Sequence, residues 1–193
     1  MAEPRFAPLV EAEFTMAQRA QAARIEKLTR PGTGTRGPFN IMLRSPGMAA
    51  GMIELFEYYR LASTLDPRLK ELAILMVARE WTAQFEWFAH APAAEKAGLA
   101  PATIEALRHG RRPPALRDDE AVIHDFVAAM LRDHEVGDAT FAKARALLGE
   151  ERLVDLVGLI GEYVKVSMIL NLGRVAVPDG NAPPLLPRAK GEA

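Results

Sequence analysis

The sequence contains no cysteine among its 193 residues. This absence excludes disulfide bonds, thiolate metal sites and any thiol-based redox cycle. An excess of either charge is also missing, because 24 Lys and Arg face 25 Asp and Glu and leave a net charge of −1. A balanced charge gives no electrostatic reason to expect nucleic acid or an anionic membrane surface as a partner.

Long apolar runs are missing as well. No stretch reaches the roughly 18 consecutive apolar residues that a membrane span requires. The first residues, MAEPRFAPLVEAEF, carry acids and a proline where a signal peptide has a basic and then an apolar region. We therefore expect a soluble, cytoplasmic protein with no membrane partner.

The composition that remains is that of an ordinary globular protein, with 49% hydrophobic and 25% charged residues, and its length suffices for one sizeable core. Apolar residues recur at helical spacing, and the sequence shows neither an alternating strand pattern nor tandem repeats. We expect an all-α fold. Loops are predicted at 29–37 and at the basic cluster 108–112, and helices at 8–28, 46–62, 67–80, 82–97, 101–109, 121–133, 138–148 and 151–175.

The stretch from residue 65 to residue 99 contains the best candidate for a site. Glu71 lies at the start of an apolar run, and Glu86 and His90 are four residues apart on the next predicted helix, so they share one helix face. Three titratable groups beside a buried helix pair are what general acid–base chemistry requires. The pattern therefore predicts a proton-transfer site formed by Glu71, Glu86 and His90.

Three further residues are candidates for binding a substrate. The segment 38–46 is too apolar for a free linker, and we expect it to pack over a site. Arg44 within this segment is the candidate for binding an anion, because its guanidinium suits carboxylates. Asn40 and Trp87 are candidates for lining the pocket.

Each of these residues also has a structural interpretation. Glu86 and His90 could be only a helix pair worth about 0.2–0.5 kcal/mol. Glu71 could form a salt bridge with Arg68, one helical turn before it. Trp87 could be a core or interface residue, and Arg44 a surface or subunit-contact arginine.

The remaining histidines do not suggest a metal site. His109, His124 and His134 lie on separate predicted elements, and no two of them have the spacing of metal ligands. We therefore predict neither a metal nor another cofactor.

Six sequence blocks occur in an order that resembles the carboxymuconolactone decarboxylase family, which has the alkylhydroperoxidase-D-like helical fold. The blocks are GPFN at 37–40, LRSP at 43–46, LDPRLKELAIL at 65–75, FEWFAH at 85–90, EKAGL at 95–99 and LIGEYVKVSMILNLGRVAVP at 159–178. The expected organisation is an N-terminal helix and loop at 1–36, a family-like helical domain at 37–178 and a C-terminal tail at 179–193. The resemblance also implies a homotrimer or a homohexamer.

The peroxidase branch of this family uses a Glu, a Cys-x-x-Cys pair and a His. Glu71 and His90 match its Glu and His by spacing, but the two cysteine positions are Ala83 and Glu86 here. Without sulfur at these positions there is nothing to oxidise, so thiol peroxidase activity is not implied.

The decarboxylase branch has a Glu four residues before the His, which Glu86 and His90 match. Phe85 stands where many relatives have Tyr, so one hydroxyl donor is missing. The resemblance implies a cofactor-free lyase of aromatic catabolism that decarboxylates a small carboxylated lactone such as 4-carboxymuconolactone. Its alternative is a non-catalytic helical assembly protein on the same scaffold, and fold alone does not choose between the two.

The chemistry of such a decarboxylation assigns a role to each residue of the site. The electrons of the broken C–C bond move into a dienolate, so the reaction needs a donor at the developing oxyanion and an acid that protonates carbon. His90 suits proton transfer because the ordinary histidine pKa is about 6.5. Glu86 could orient His90 or act as the acid itself, and Glu71 could complete the relay.

Overall fold

The computed structural model describes residues 3–29, 35–178 and 184–186, and within these ranges it contains helices and no strand. The all-α prediction is therefore confirmed for the described chain. After a 3-10 turn at Glu11–Glu13, the α-helices are α1 (Met16–Leu28), α2 (Pro38–Met42), α3 (Pro46–Leu61), α4 (Pro67–Glu80), α5 (Gln84–Lys96), α6 (Pro101–Arg108), α7 (Asp118–Arg132) and α8 (Asp138–Gly173).

The chain forms two compact units. The first unit comprises Met1–Ser63 with Met168–Ala176, and the second comprises Thr64–Ser167 with Val177–Ala193. The domain division expected from the sequence stays a prediction. Most of its C-terminal tail (179–183 and 187–193) and most of its loop at 29–37 (30–34) lie outside the described residues.

The first unit is built on the packing of α1 against α3. The helix predicted from residue 8 begins only at Met16, because Thr15 forms a capping box there: the N–H of Gln18 donates to the Thr15 hydroxyl and the N–H of Thr15 donates to the Gln18 side chain. Ile25, Met52 and Ile53 are almost completely buried in this unit.

The second unit is organised around α4. Its start is the one the sequence predicts: Pro67 is the first helical residue, and the Asp66 carboxylate accepts hydrogen bonds from the N–H groups of Arg68 and Leu69 at 2.8 and 3.3 Å. Residues 72–78 are buried because α5, α6 and α7 all pack against this helix. Each fully buried leucine among them contributes about 1.5–3 kcal/mol, so the position of α4 is well defined.

A tight turn folds α5 back onto α4. Thr82 adopts the left-handed conformation (φ 49°), and the N–H of Ala83 donates to the carbonyl of Ala78 at 2.8 Å. The two helices pack together along their length. This helical hairpin is what brings a residue of α4 opposite a residue of α5.

The five-residue helix α2 lies in the segment 38–46, where the sequence predicts no helix, and the other remaining helices agree with the sequence patterns except in their bounds. α7 begins at Asp118, three residues before the predicted start, because Glu120 accepts a hydrogen bond from the N–H of Arg117 at 2.9 Å. Helical geometry in α8 is interrupted at Gly149 (φ 74°), where the sequence predicts the end of one helix and the start of the next. Within the described part of the chain, no helix combines the length and the apolar character needed to span a membrane.

Candidate active site

The helical hairpin brings Glu71, Glu86 and His90 together. Nδ1 of His90 lies 2.8 Å from Oε2 of Glu71 on α4, and Nε2 lies 3.1 Å from Oε1 of Glu86, one turn earlier on α5. The three side chains are largely buried, with exposed fractions of 17% for His90, 18% for Glu71 and 5% for Glu86. We call these three residues the Glu–His–Glu cluster.

Two carboxylates on one imidazole determine its charge. Burial by itself lowers the pKa of His90, but the hydrogen bonds to Glu71 and Glu86 outweigh burial and raise this pKa from 6.5 to about 10. At neutral pH the ring is therefore an imidazolium, and each of its N–H groups donates to a carboxylate. The sequence predicts proton transfer by a histidine with the ordinary pKa of 6.5, but the pKa of His90 in the structure is about 10. His90 therefore enters a reaction as an acid.

A fourth residue of the second unit contacts the cluster. The ring of Tyr163 on α8 meets the His90 ring edge-on, with a centroid distance of 5.1 Å and an interplanar angle of 89°. No fixed spacing relates Tyr163 to α4 or α5, so no sequence pattern connects it with Glu71, Glu86 or His90. Tyr163 does lie within the block 159–178 that carries the family resemblance. Its phenol hydroxyl is a donor of the kind that Phe85 lacks.

The neighbours of Glu86 on α5 are aromatic. Trp87 is 3% exposed, which agrees with the interpretation of this residue as part of the core. Phe85 and Phe88 pack against each other with ring centroids 6.5 Å apart. A contact between Trp87 and substrate stays a prediction.

Arg68 forms its ion pairs with two carboxylates of α7 and not with Glu71. Its guanidinium contacts Asp119 and Glu120 of α7 at 2.5 Å each, and both Arg68 and Glu120 are buried. Glu71 is bonded to His90 instead. The structural interpretation of Glu71 as the partner of Arg68 is therefore wrong.

Asn40 and Arg44 lie in the first unit, where they hold the N-terminal segment. The side chain of Asn40 accepts a hydrogen bond from the N–H of Leu9 at 3.0 Å, and Arg44 donates to the carbonyls of Asn40 and Ala7. The guanidinium of Arg44 also lies over the ring of Phe6, 4.8 Å from its centroid. Asn40 lines a cavity of about 380 Å³ in this unit. Substrate binding by these two residues stays a prediction.

The described side chains offer no arrangement for a metal ion. In residues 3–29, 35–178 and 184–186, no group of three His, Asp or Glu side chains is placed to hold one. In the Glu–His–Glu cluster, both ring nitrogens of His90 already contact carboxylate oxygens.

The fold and this site define an all-helical protein with a histidine between two carboxylates on a helical hairpin. One solved structure with a similar fold is that of an Agrobacterium tumefaciens protein of unknown function, named as a candidate for the antioxidant defence protein AhpD. The two chains are 22% identical and superpose with a TM-score of 0.64, over 74% of this chain and 99% of the other. The resemblance to the alkylhydroperoxidase-D-like fold is thereby confirmed. No family model and no curated protein matches the sequence.

Proposed function

We propose that the chain is a cofactor-free lyase that decarboxylates a small carboxylated lactone such as 4-carboxymuconolactone, with the Glu–His–Glu cluster as its acid–base group. The observation that carries this proposal is the pair of carboxylates on the two ring nitrogens of His90. A largely buried imidazolium held in this way is a preformed proton donor, and strongly perturbed titratable groups concentrate at functional sites.

The proton inventory of the reaction fits this cluster. The C–C bond to the substrate carboxylate breaks, its electron pair enters the ring system as a dienolate, carbon dioxide leaves, and one ring carbon takes up a proton. His90 supplies this proton and recovers it from water afterwards. Glu71 is the more exposed carboxylate, so it passes the proton between Nδ1 of His90 and the substrate, while the buried Glu86 orients the ring.

The name of the Agrobacterium neighbour points to antioxidant defence, which requires different chemistry. In the peroxidase branch of the family that the sequence resembles, a pair of cysteines carries that chemistry. This chain has no cysteine, so it has no thiol to be oxidised. Acid–base chemistry needs no sulfur, and the groups for it are in place.

We further propose that Arg44, Asn40 and Trp87 bind the substrate and that the chain assembles into a homotrimer or a homohexamer. Val154 and Val157 of α8 support assembly, because their side chains are 70% and 39% exposed on one helix and a partner subunit would remove them from water. The location proposed for the assembly is the cytoplasm.

A non-catalytic assembly protein is the second candidate. The observation in its favour is that Trp87 is buried and that Phe85 packs on Phe88, since these aromatic side chains fill space beside Glu86 on α5. On this alternative the Glu–His–Glu cluster only stabilises the hairpin.

Release of carbon dioxide from a panel of carboxylated lactones and β-keto acids tests the proposal. We expect the native chain to turn over at least one compound and His90→Gln to be slower by ~10²-fold or more, because general acid catalysis contributes that much. Glu95→Gln is the matched control: it removes an exposed carboxylate from the same helix and should leave the rate unchanged. Equal rates for the native chain and His90→Gln would place the site elsewhere. If the native chain acts on none of the compounds, the lyase proposal fails.

A further inference from the structure

A second cavity lies in the second unit and shares no residue with the Glu–His–Glu cluster. It has a volume of about 420 Å³ and lies among α4, α6, α7 and the connector that follows α6. Its apolar wall includes Met76 of α4 and Leu107 of α6, which are 9% and 4% exposed, and Leu131 of α7. Pockets for small molecules commonly combine a volume of about 300–1,000 Å³ with an apolar wall and a few polar groups.

The polar part of this cavity is strongly basic. Among the described residues, Glu80 supplies the only carboxylate that lines it. Four arginines and two histidines line it as well: Arg79, Arg111, Arg112, Arg132, His124 and His134.

Helix ends account for part of this charge. α4 ends at Glu80 and α7 ends at Arg132, and the negative partial charge of a helix C-terminus favours basic side chains nearby. Arg79 and Arg132 fit this explanation, and Arg132 also pairs with Asp133. Arg111 and Arg112 lie beyond the last turn of α6, so the explanation does not extend to them.

In the part of the chain that the structure describes, Arg111 is a cation at the cavity wall whose guanidinium has no partner. Within the described residues its guanidinium has no ion pair and no hydrogen bond, although it lies at a cavity wall. The sequence analysis predicts that the cluster 108–112 is a solvated loop. Arg111 and Arg112 are exposed in the loop after α6, which agrees with this prediction, and both also line the concave surface of the cavity.

Arg112 is held in place by the neighbouring helix. It donates a hydrogen bond to Nδ1 of His124 at 3.0 Å and also contacts the carboxylate of Asp125. Nδ1 of His124 also lies 3.2 Å from Oδ1 of Asp125, the carboxylate oxygen that Arg112 contacts. Burial and then the charge of Arg112 lower the pKa of His124 from 6.5 to about 4, which agrees with a positive potential in the cavity.

We propose that this cavity binds a small organic anion, whose oxyanion head group is bound by Arg111 and Arg112 and whose apolar body contacts Met76 and Leu107. A guanidinium group can donate two parallel hydrogen bonds to the oxygens of a carboxylate or a phosphate. The apolar wall favours an anion that also has a carbon skeleton. The head group is a carboxylate or a phosphate ester, which offer the same oxygens to two arginines.

Isothermal titration of the full chain with four probes tests this proposal: benzoate, phenyl phosphate, inorganic phosphate and uncharged benzyl alcohol. We expect benzoate or phenyl phosphate to bind, and the tighter of the two to identify the head group. Inorganic phosphate should bind more weakly because it lacks the apolar body, and benzyl alcohol should not bind. Arg111→Gln should weaken the binding by about tenfold or more, as expected for the loss of one charge-assisted hydrogen bond.

Arg145→Gln is the matched control, because Arg145 is an exposed arginine of α8 that pairs with Glu150 and does not line the cavity. This variant should bind the anion with the affinity of the native chain. Three results would each overturn the proposal: no binding of either organic anion, equal binding of benzyl alcohol, or equal weakening by Arg111→Gln and Arg145→Gln. Binding of inorganic phosphate as tight as that of phenyl phosphate would refute the role of the apolar wall.

Discussion

The charge of His90 can be tested by removing its two carboxylate partners one at a time. Each N–H now donates to a charged acceptor, and a hydrogen bond to a charged group contributes about 1.5–3 kcal/mol. One pKa unit corresponds to about 1.4 kcal/mol, and the two bonds together raise the pKa of His90 from below 6.5 to about 10, so Glu71→Gln or Glu86→Gln alone should lower this pKa by about 2. With both replaced only burial remains, so the pKa of His90 should fall below its ordinary 6.5.

The measurement is an NMR titration of the histidine ring carbons between about pH 5 and pH 11, a range that covers both the ordinary and the raised pKa. The chain has four histidines, and the signal that is lost in His90→Gln identifies His90. Glu95→Gln is the control, because it changes the net charge equally without touching the ring. A native pKa near 6.5, or an equal effect of Glu95→Gln, would refute the doubly bonded imidazolium.

The raised pKa of His90 also predicts how the stability of the protein depends on pH. The pKa of His90 is higher in the folded chain than in the unfolded chain, so the folded state binds more protons between the two values. The stabilisation is complete below about pH 6.5 and is lost as the pH rises through about 10. Urea unfolding midpoints of the native chain should fall over this range, and those of the double glutamine variant should fall less.

Two further predictions concern the scaffold of the site. Arg68→Leu should destabilise the chain by about 3 kcal/mol, because the buried Glu120 loses its 2.5 Å ion pair and keeps only the longer contact with Arg117 at 3.9 Å. The additional change Glu120→Gln should recover part of this loss in urea unfolding. An unchanged midpoint would show that the pair is not formed. Thr82→Gly should stabilise the chain by about 1 kcal/mol, because the positive φ of Thr82 costs a β-branched residue roughly this much. The measurement is a thermal melt, and a lower melting midpoint for the variant would contradict this reasoning.

Helix identity could be predicted from the sequence because it depends on local signals. Asp66 before Pro67 and the glycine at 149 mark element ends that the structure reproduces, since a cap and a positive φ act within a few residues. The start of α1 was predicted eight residues too early. Apolar spacing continues through residues 8–15, and the capping box at Thr15 decides where the helix begins.

The residues of the candidate site could also be selected from the sequence. The spacing of Glu86 and His90 places them on one face of a helix, and their contact follows from helix geometry alone. The contact of Glu71 with His90 joins two helices, so it depends on the turn at Thr82 and on how α5 packs against α4. From the sequence alone, Glu71 could equally form an ion pair with Arg68. In the structure Arg68 forms its ion pairs with Asp119 and Glu120 of α7.

By itself, the sequence determined an all-helical chain without thiol chemistry and the three titratable residues that could carry proton transfer. Only the tertiary structure decided the charge of His90, because a pKa depends on burial and on partners that separate helices supply. The edge-on contact of Tyr163 and the basic cavity at Arg111 and Arg112 were decided in the same way. Their residues come together through packing between elements, and no local pattern encodes that packing.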